Sequence, residues 1–130
     1  MFGLKGLINM DNKITTINLS FSRLFIEKVE VGDDLLILVH GGDKEHIGSV
    51  VMSVPRLSIT GDGSTSCTTS VLNLLGHKDE ELLRPICEYY CKNENRVVTC
   101  VGGFHVDDMT QEQILELKEV LEKYTLNTVL

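Results

Sequence analysis

The sequence has little positive charge. Its 12 Lys and Arg residues stand against 19 Asp and Glu residues, which gives a formal net charge of −7. A protein that binds nucleic acid needs a basic face to neutralise phosphates, and docking on anionic lipid needs a similar excess of Lys and Arg. The charge balance therefore argues against nucleic acid and membranes as partners, although a local basic pocket for one phosphate stays compatible with it.

Long apolar segments are missing as well. No apolar run approaches the roughly 18 residues of a membrane span, and Met1 to Met10 has one lysine and too short an apolar stretch for a signal peptide. We therefore expect a cytoplasmic protein. In that reducing compartment the cysteines are expected to be thiols, namely Cys67, Cys87, Cys91 and Cys100.

Several catalytic and metal-binding patterns are absent too. The sequence has no P-loop and no GxGxxG, GxSxG, CxxC or HExxH pattern. Cys87 and Cys91 lie four residues apart and could face one metal ion, but without a second pair they are better interpreted as buried core thiols. We predict a binding or accessory protein with no resident metal, and not a self-sufficient enzyme.

The length of 130 residues and the apolar fraction of 42% fit a single globular domain. A chain of this size buries roughly two thirds of its unfolded surface, so it needs no disulfide or metal to fold. The periodic pattern of apolar residues begins only after Asp11 and Asn12. We therefore expect residues 1–12 to be a flexible extension and residues 13–130 to form one domain.

Much of the first half of the chain has the period of two that is typical of β-strands, interrupted by turns rich in glycine and aspartate. The run Leu35–Val39 is apolar without interruption, which indicates a central strand covered on both faces. Short connections between these strands favour antiparallel neighbours. We predict strands at 17–21, 24–31, 35–39, 46–54, 67–74 and 96–101, with Pro55 ending the fourth and Gly102 ending the last.

The second half predicts two helices. Asp79 can cap a helix that runs to about Asn93, in which Pro85 predicts a kink or a separate first turn. Thr110 and Gln113 form a capping box that opens the last helix. The predicted fold is therefore α+β, a mainly antiparallel sheet of five to six strands with two helices from the C-terminal half packed on it. The apolar stripe of the first helix consists of Leu83, Ile86, Cys87, Tyr90 and Cys91.

A glycine-, serine- and threonine-rich segment lies between Pro55 and Ser66, and its composition predicts a long loop. Glycine lets backbone amides converge on an anion, and hydroxyl groups add further donors. The alternative interpretation is a flexible surface loop. The candidate anion-binding residues of this segment are Arg56, Ser58, Gly61, Gly63, Ser64 and Ser66.

Two further segments carry candidate residues. His77 and Lys78 precede the first helix, where free amides and positive charge could hold a phosphate or carboxylate, unless Asp79 simply caps the helix. His105 and Asp107 alternate after Gly103, so on an extended chain they point the same way.

A histidine beside a carboxylate is held in one tautomer and can serve as acid, base or ligand. The alternative for His105 and Asp107 is a polar loop with Asp107 in a turn. The other two histidines, His40 and His46, lie in the first half of the chain and flank a hairpin loop. We expect them to face solvent or the sheet edge.

The segment HIGSVVMSVPRLSITGDGSTSCTTSVLNLLGHKDEELLRPI, followed by VVTCVGGFHVDD, resembles a known family. Its members are small proteins related to an accessory component of the gallate decarboxylase system, and they are prenylated-flavin chaperone-like. Some relatives are called proteasome-assembly-chaperone-like, after a shared α+β fold. The resemblance covers His46 to about Ile114, and its most specific parts include His46-Ile47-Gly48, Gly76-His77-Lys78 and Gly103-x-His105-x-Asp107.

The resemblance implies a small accessory protein that binds or delivers prenylated FMN or FMN to a UbiD-type decarboxylase. On that basis the flavin phosphate would suit the Gly61–Ser66 loop together with Arg56, His77 or Lys78, and His105 and Asp107 could bond polar edges of the ring. Because the sequence has no tryptophan, an aromatic platform would come from Phe104, Tyr89 or Tyr90. This interpretation requires the three segments to converge on one polar hollow.

Two other functions remain open from the sequence. One is an assembly scaffold that acts as a homodimer through protein surfaces and holds no small ligand. The other is a small enzyme that uses His105 and Asp107, with or without a metal ion.

Overall fold

The computed structural model describes residues 13–74 and 79–127. These residues form one mixed sheet of six strands with two helices, which confirms the predicted α+β class. Within the described residues, no helix is long and apolar enough to cross a membrane. The extension predicted for residues 1–12 lies outside them.

The elements are β1 Lys13–Asn18, β2 Arg23–Val31, β3 Asp34–Gly42, β4 Ser49–Leu57, β5 Thr65–Asn73, α1 Glu80–Glu94, β6 Val98–His105 and α2 Gln111–Asn127. The sheet order is β1-β2-β3-β6-β4-β5. Neighbouring strands pair antiparallel, except that β3 and β6 run parallel. The parallel pair arises because α1 crosses over the sheet and returns the chain between β3 and β4.

The two faces of the sheet have different environments. One face packs under the helices, where Leu35, Ile37 and Val39 of β3 are buried. The opposite face, here named the open face, carries Leu36 and Leu38, which are only partly buried. The prediction that this strand is covered on both faces is therefore wrong for the isolated chain, since both helices lie on one side.

Several strand boundaries differ from the predictions. The first strand ends at Asn18, and a turn closed by the Leu19 N–H donating to the Ser22 oxygen (2.8 Å) follows it. β4 continues through Pro55, which is tolerated because pairing with β6 ends at Ser53 and leaves β5 as the neighbour. The long loop predicted from Pro55 to Ser66 is correspondingly reduced to residues 58–64.

Gly102 lies inside β6 and does not end it. A Cβ atom at this position would lie 1.7 Å from the Val39 oxygen, and φ is +146°. Glycine is required there by the close approach of the parallel neighbour β3. The predicted end of the strand at Gly102 is therefore wrong, because the pattern that resembles a turn reflects a tight strand pair.

The apolar stripe predicted for α1 is confirmed, since all five of its residues are buried. Pro85 lies inside one continuous helix, so the alternative of a separate first turn is wrong. Cys67, Cys87, Cys91 and Cys100 are free thiols. A hydrogen bond with Cys100 lowers the pKa of Cys87 to about 7 against the opposing effect of burial, and raises the pKa of Cys100.

The capping box predicted for α2 is confirmed. The Thr110 N–H donates to Gln113 Oε1 (2.9 Å), and the Gln113 N–H donates to Thr110 Oγ1 (3.2 Å). Glu116 ties the helix to the turn after β1, because its carboxylate accepts hydrogen bonds from the backbone and hydroxyl of Ser20. Leu117 and Leu121 of this helix are buried.

His40 occupies the open face and is not simply directed to solvent. Its ring stacks on Phe25 with centroids 5.3 Å apart. The ring nitrogens contact Glu27 Oε2 at 2.9 Å and Glu45 Oε1 at 2.7 Å. Burial acts to lower the pKa of His40, but the hydrogen bonds to the two carboxylates outweigh it and raise the pKa above 6.5.

The raised pKa of His40 predicts a pH-dependent contribution to stability. The contribution is complete below the unfolded value of 6.5 and is lost as pH rises through the higher folded value. We expect His40→Gln to lower the free energy of unfolding more at about pH 5.5 than at about pH 9. Urea unfolding of both proteins at the two pH values measures this. An equal loss at both pH values would contradict it.

Candidate functional site

A cavity of about 480 Å³ opens between α1, α2 and the end of β6. This volume lies within the range of small-molecule sites. One part of its wall is apolar and is formed by Leu82, Pro85, Ile86, Phe104, Met109, Ile114, Leu117 and Leu121. The polar and charged part is formed by His46, Asp79, Glu81, His105, Lys118, Glu122 and Thr125. The cavity therefore combines an apolar body with a polar end.

A buried carboxylate organises the polar end. Asp79 is 8% exposed; its Oδ2 lies 3.2 Å from His46 Nε2, and its Oδ1 accepts from the Phe104 N–H at 3.1 Å. The side chain makes no capping hydrogen bond, although the backbone oxygen accepts from Leu82 and Leu83. Asp79 is the N-cap residue, as predicted, but the capping hydrogen bond of its side chain is not formed, because the carboxylate accepts from a backbone group near the end of β6 instead.

His46 is part of the cavity wall, so the expectation that it faces solvent or the sheet edge is wrong. Its Nδ1 lies 3.2 Å from the Lys44 carbonyl oxygen, which can only accept a hydrogen bond. Its other nitrogen contacts the Asp79 carboxylate, also an acceptor when ionised. Because both partners are acceptors, a ring nitrogen of His46 donates in either contact only where it carries a proton.

Two glycines make room for this pair. A Cβ atom at Gly48 would lie 1.8 Å from Asp79 Oδ2, and one at Gly103 would lie 2.9 Å from the same atom. Gly48 is also tied to β6, since its N–H donates to the Gly102 oxygen at 2.9 Å. Glycines on both chain segments therefore allow the carboxylate to enter between them.

His105 stands at the exposed side of the cavity. Its Nε2 lies 2.9 Å from Asp107 Oδ1, and its ring meets the His46 ring edge-on with centroids 6.1 Å apart. Since an ionised carboxylate only accepts, Nε2 is the donor in this contact, and in that tautomer Nδ1 is an acceptor. His105 can therefore receive a hydrogen bond from a ligand N–H or O–H group.

The anion-binding loop predicted from the sequence lies elsewhere. Ser49 pairs with Gly102 near the cavity, whereas Leu57 is eight residues further along β4, which corresponds to roughly 26 Å. Arg56 donates from Nε to Thr68 Oγ1 at 3.1 Å. The remaining candidates of this loop lie in or beside the same hairpin end, namely Ser58, Gly61, Gly63, Ser64 and Ser66.

The structure thus does not bring the hairpin end to His105 and Gly103, and the predicted convergence of all three segments is not found. An anion-binding role for the hairpin stays a prediction. His77 and Lys78 lie outside the described residues. No group of three or more His, Cys, Asp or Glu side chains in the described parts of the chain is arranged to hold a metal ion.

Sequence reasoning missed His46 and Asp79 as site residues. The sequence did offer one signal, a pair of glycines. Gly48 lies two residues after His46, and Gly103 lies two residues before His105. It also missed the apolar wall, because residues of a cavity wall and of a closed core share the same helical period. Of the proposed aromatic platforms, Phe104 lines the cavity, whereas Tyr90 is packed in the core.

The model of the prenylated flavin chaperone LpdD-like domain family matches residues 21–129. The chain belongs to this family. The match spans β2 to α2 and includes His46, Asp79 and His105, and it indicates a prenylated-flavin-chaperone-like function. The resemblance stated from the sequence is confirmed.

One solved structure similar to this chain is a chain in the crystal structure of a novel chaperone complex for yeast 20S proteasome assembly. The TM-score is 0.53 with 13% identity, over 92% of this chain and 96% of that chain. At this identity the likeness shows the fold alone. No curated protein matches the chain.

Gly48, beside the contact between His46 and Asp79, provides a test of the site's architecture. We expect Gly48→Ala to lower the free energy of unfolding by about 1–3 kcal/mol, the usual cost of forcing extra volume into a packed site. The steric cause predicts a smaller effect of the same change in an Asp79→Ala background. Chemical denaturation of the four proteins of this double-mutant cycle measures the coupling. Equal costs in both backgrounds would show that the carboxylate is not the obstacle.

Proposed function

We propose that this protein binds prenylated FMN, or FMN, in the cavity between α1 and α2 and delivers it to a UbiD-type decarboxylase without catalysing a reaction itself. The observation that carries the proposal is the cavity of about 480 Å³ with an apolar body and a histidine-lined end. It lies within the segment that matches the prenylated flavin chaperone family.

The apolar body suits the ring of the cofactor. A prenylated flavin carries additional apolar carbon atoms beyond those of the flavin ring, and burial stabilises such surface by about 25 cal/mol per Å². Phe104 is 8% exposed and contributes an aromatic wall, held by an edge-on contact with Phe21 at 6.2 Å. Leu117 and Leu121 of α2 also belong to the apolar wall.

The polar end suits hydrogen bonding to the ring more than tight binding of a phosphate. His105 offers an acceptor nitrogen for a ring N–H, whereas the charge of Lys118 is opposed by nearby carboxylates of the lining, Glu81 and Glu122. A ring that is gripped and a phosphate that is held loosely would suit a protein that passes its ligand to another protein.

The lining favours binding over catalysis. A histidine with a carboxylate partner can act as a base. The hydroxyl group that such a base could activate belongs, among the lining residues, to Thr125. That hydroxyl instead donates to the backbone oxygens of Leu121 and Glu122, at 3.2 Å and 2.9 Å. The pair of His105 and Asp107 is therefore better used to orient a ligand.

Ligand titration tests the proposal. We expect FMN and, under anaerobic conditions, prenylated FMN to lose fluorescence on binding, with the prenylated form bound more tightly. His105→Ala should weaken binding about 5–10-fold, the cost of one hydrogen bond. Ile114→Gln should also weaken it because Ile114 lines the cavity, whereas Leu115→Gln, on the neighbouring exposed position, is the matched control.

The variant Arg56→Ala separates the cavity from the hairpin. We expect it to leave the affinity unchanged. A loss with Arg56→Ala together with none in His105→Ala would transfer the site to the hairpin, and no binding at millimolar ligand would reject both. Delivery is measured by adding the loaded protein to a cofactor-free UbiD-type decarboxylase; activity no faster than with free cofactor would contradict it.

A further inference from the structure

The net negative charge of the chain lies on the two helices that flank the cavity. The segments 79–94 and 107–127, which contain α1, α2 and the residues that lead into them, hold 11 Asp and Glu residues against 4 Lys and Arg residues. This surplus of seven equals the net charge of −7. The rest of the sequence holds eight residues of each kind and is neutral. Since both helices pack on the same face of the sheet, the charge is concentrated on one side of the molecule.

Carboxylates without a cationic partner surround the opening of the cavity. Away from it, a carboxylate such as Glu30 pairs with Arg96. Glu81 and Glu122 line the cavity, one on each helix, and neither forms an ion pair with a described residue. Two further carboxylates of this kind are next in sequence to the lining residues Met109 and Lys118. These four exposed side chains, here named the acidic face, are Glu81, Asp108, Glu119 and Glu122.

This charge distribution selects the kind of surface that can dock on the acidic face. Like charges held close together repel one another, and they destabilise the fold unless an opposite charge approaches them. A second copy of the chain would bring the same four carboxylates into contact, and nucleic acid or anionic lipid would add further negative charge. A basic protein surface is the partner that complements the acidic face.

The proposed ligand binding, on which this inference rests, indicates which basic protein would approach. The phosphate of FMN is negatively charged, whereas the cavity lining opposes the ammonium group of Lys118 with the carboxylates of Glu81 and Glu122. A protein that takes over the cofactor must supply Arg or Lys donors for that phosphate. Such cations around the entrance to its own cofactor site complement the acidic face.

The size of the helix side fits a transient contact. α2 has 17 residues, which corresponds to about 25 Å, and each of the two helices is about 10 Å wide. The projected area is therefore on the order of 500 Å² per partner, which is near the lower end of specific interfaces. A small interface with electrostatic attraction associates rapidly and also separates rapidly. Both properties suit a protein that transfers its ligand.

We propose that the acidic face docks on a basic surface around the cofactor entrance of the acceptor decarboxylase, so that the cavity opens towards that entrance. The negative charge steers the loaded protein to its acceptor over roughly one Debye length, about 10 Å at 0.1 M salt. It also disfavours retention of the phosphate at the opening of the cavity. The cofactor is thereby favoured to move towards the cations of the acceptor.

Association with a cofactor-free UbiD-type decarboxylase tests the proposal. Biolayer interferometry measures the dissociation constant at about 50 mM and about 300 mM NaCl, and for the unchanged protein we expect it to rise on the order of tenfold at the higher salt. Glu119→Lys/Glu122→Lys places two cations on the acidic face. This variant should associate on the order of tenfold more weakly at low salt and depend less on salt.

The matched control is Asp33→Lys/Asp34→Lys, which changes the net charge by the same amount. Both residues are exposed and lie at the start of β3, whereas the other end of β3, Gly42, pairs with His105. The two ends are separated by eight residues of strand, roughly 26 Å. Because salt screens charges over that distance, the control should stay within about twofold of the unchanged protein.

Flavin titration keeps the docking result separate from the ligand-binding result. Glu119→Lys/Glu122→Lys should bind FMN at least as tightly as the unchanged protein, because it removes a carboxylate near the phosphate. Circular dichroism checks its fold, and Glu119→Gln/Glu122→Gln, with a smaller expected loss of association, replaces it if it does not fold.

Three results would overturn the docking proposal while flavin quenching still supports the cavity. They are a decarboxylase that does not associate at low salt, association that is equal in the unchanged protein and the acidic-face variant, and an equal loss in the control. An unchanged protein that does not quench flavin would instead reject the proposed function, and with it the reason for docking.

Discussion

The contact on which the site depends is the buried Asp79 carboxylate. It accepts the Phe104 N–H at the end of β6 and pairs with His46, which leads into β4. It also precedes α1, whose N-terminal end favours a negative charge. Removing a hydrogen-bond partner of a buried carboxylate leaves that acceptor unsatisfied, which costs about 1–3 kcal/mol. One side chain thus joins two strands and a helix, and the cavity forms beside this junction.

The junction also explains the position of the glycines. A carboxylate can enter between β4 and β6 only if the neighbouring backbone carries no side chain, as at Gly48 and Gly103. The Asp79 carboxylate has its hydrogen-bond partners within the protein, so its contribution to the site is to fix the end of β6. His105, the residue after Phe104, is then held at the cavity, where its ring nitrogen can meet a ligand.

Short sequence patterns predicted those parts of the fold that depend on residues close together in the chain. The stripe of α1 and the capping box of Thr110 and Gln113 depend on residues three or four positions apart, and both are confirmed. Asp79 has the pattern of a helix cap, but its carboxylate is used by a backbone group 25 residues later. Gly102 has the pattern of a strand end, but the parallel neighbour decides its role. Pairing across the sheet is not encoded in short windows.

The site shows the same limit. A hairpin rich in glycine and serine has the composition of an anion site, yet β4 carries it to the end of the sheet opposite His105. Distance along a strand, and not composition, decides which residues share a cavity. The crossover through α1 sets β6 between β3 and β4, so the helix start and the end of β6 meet on one side of the sheet.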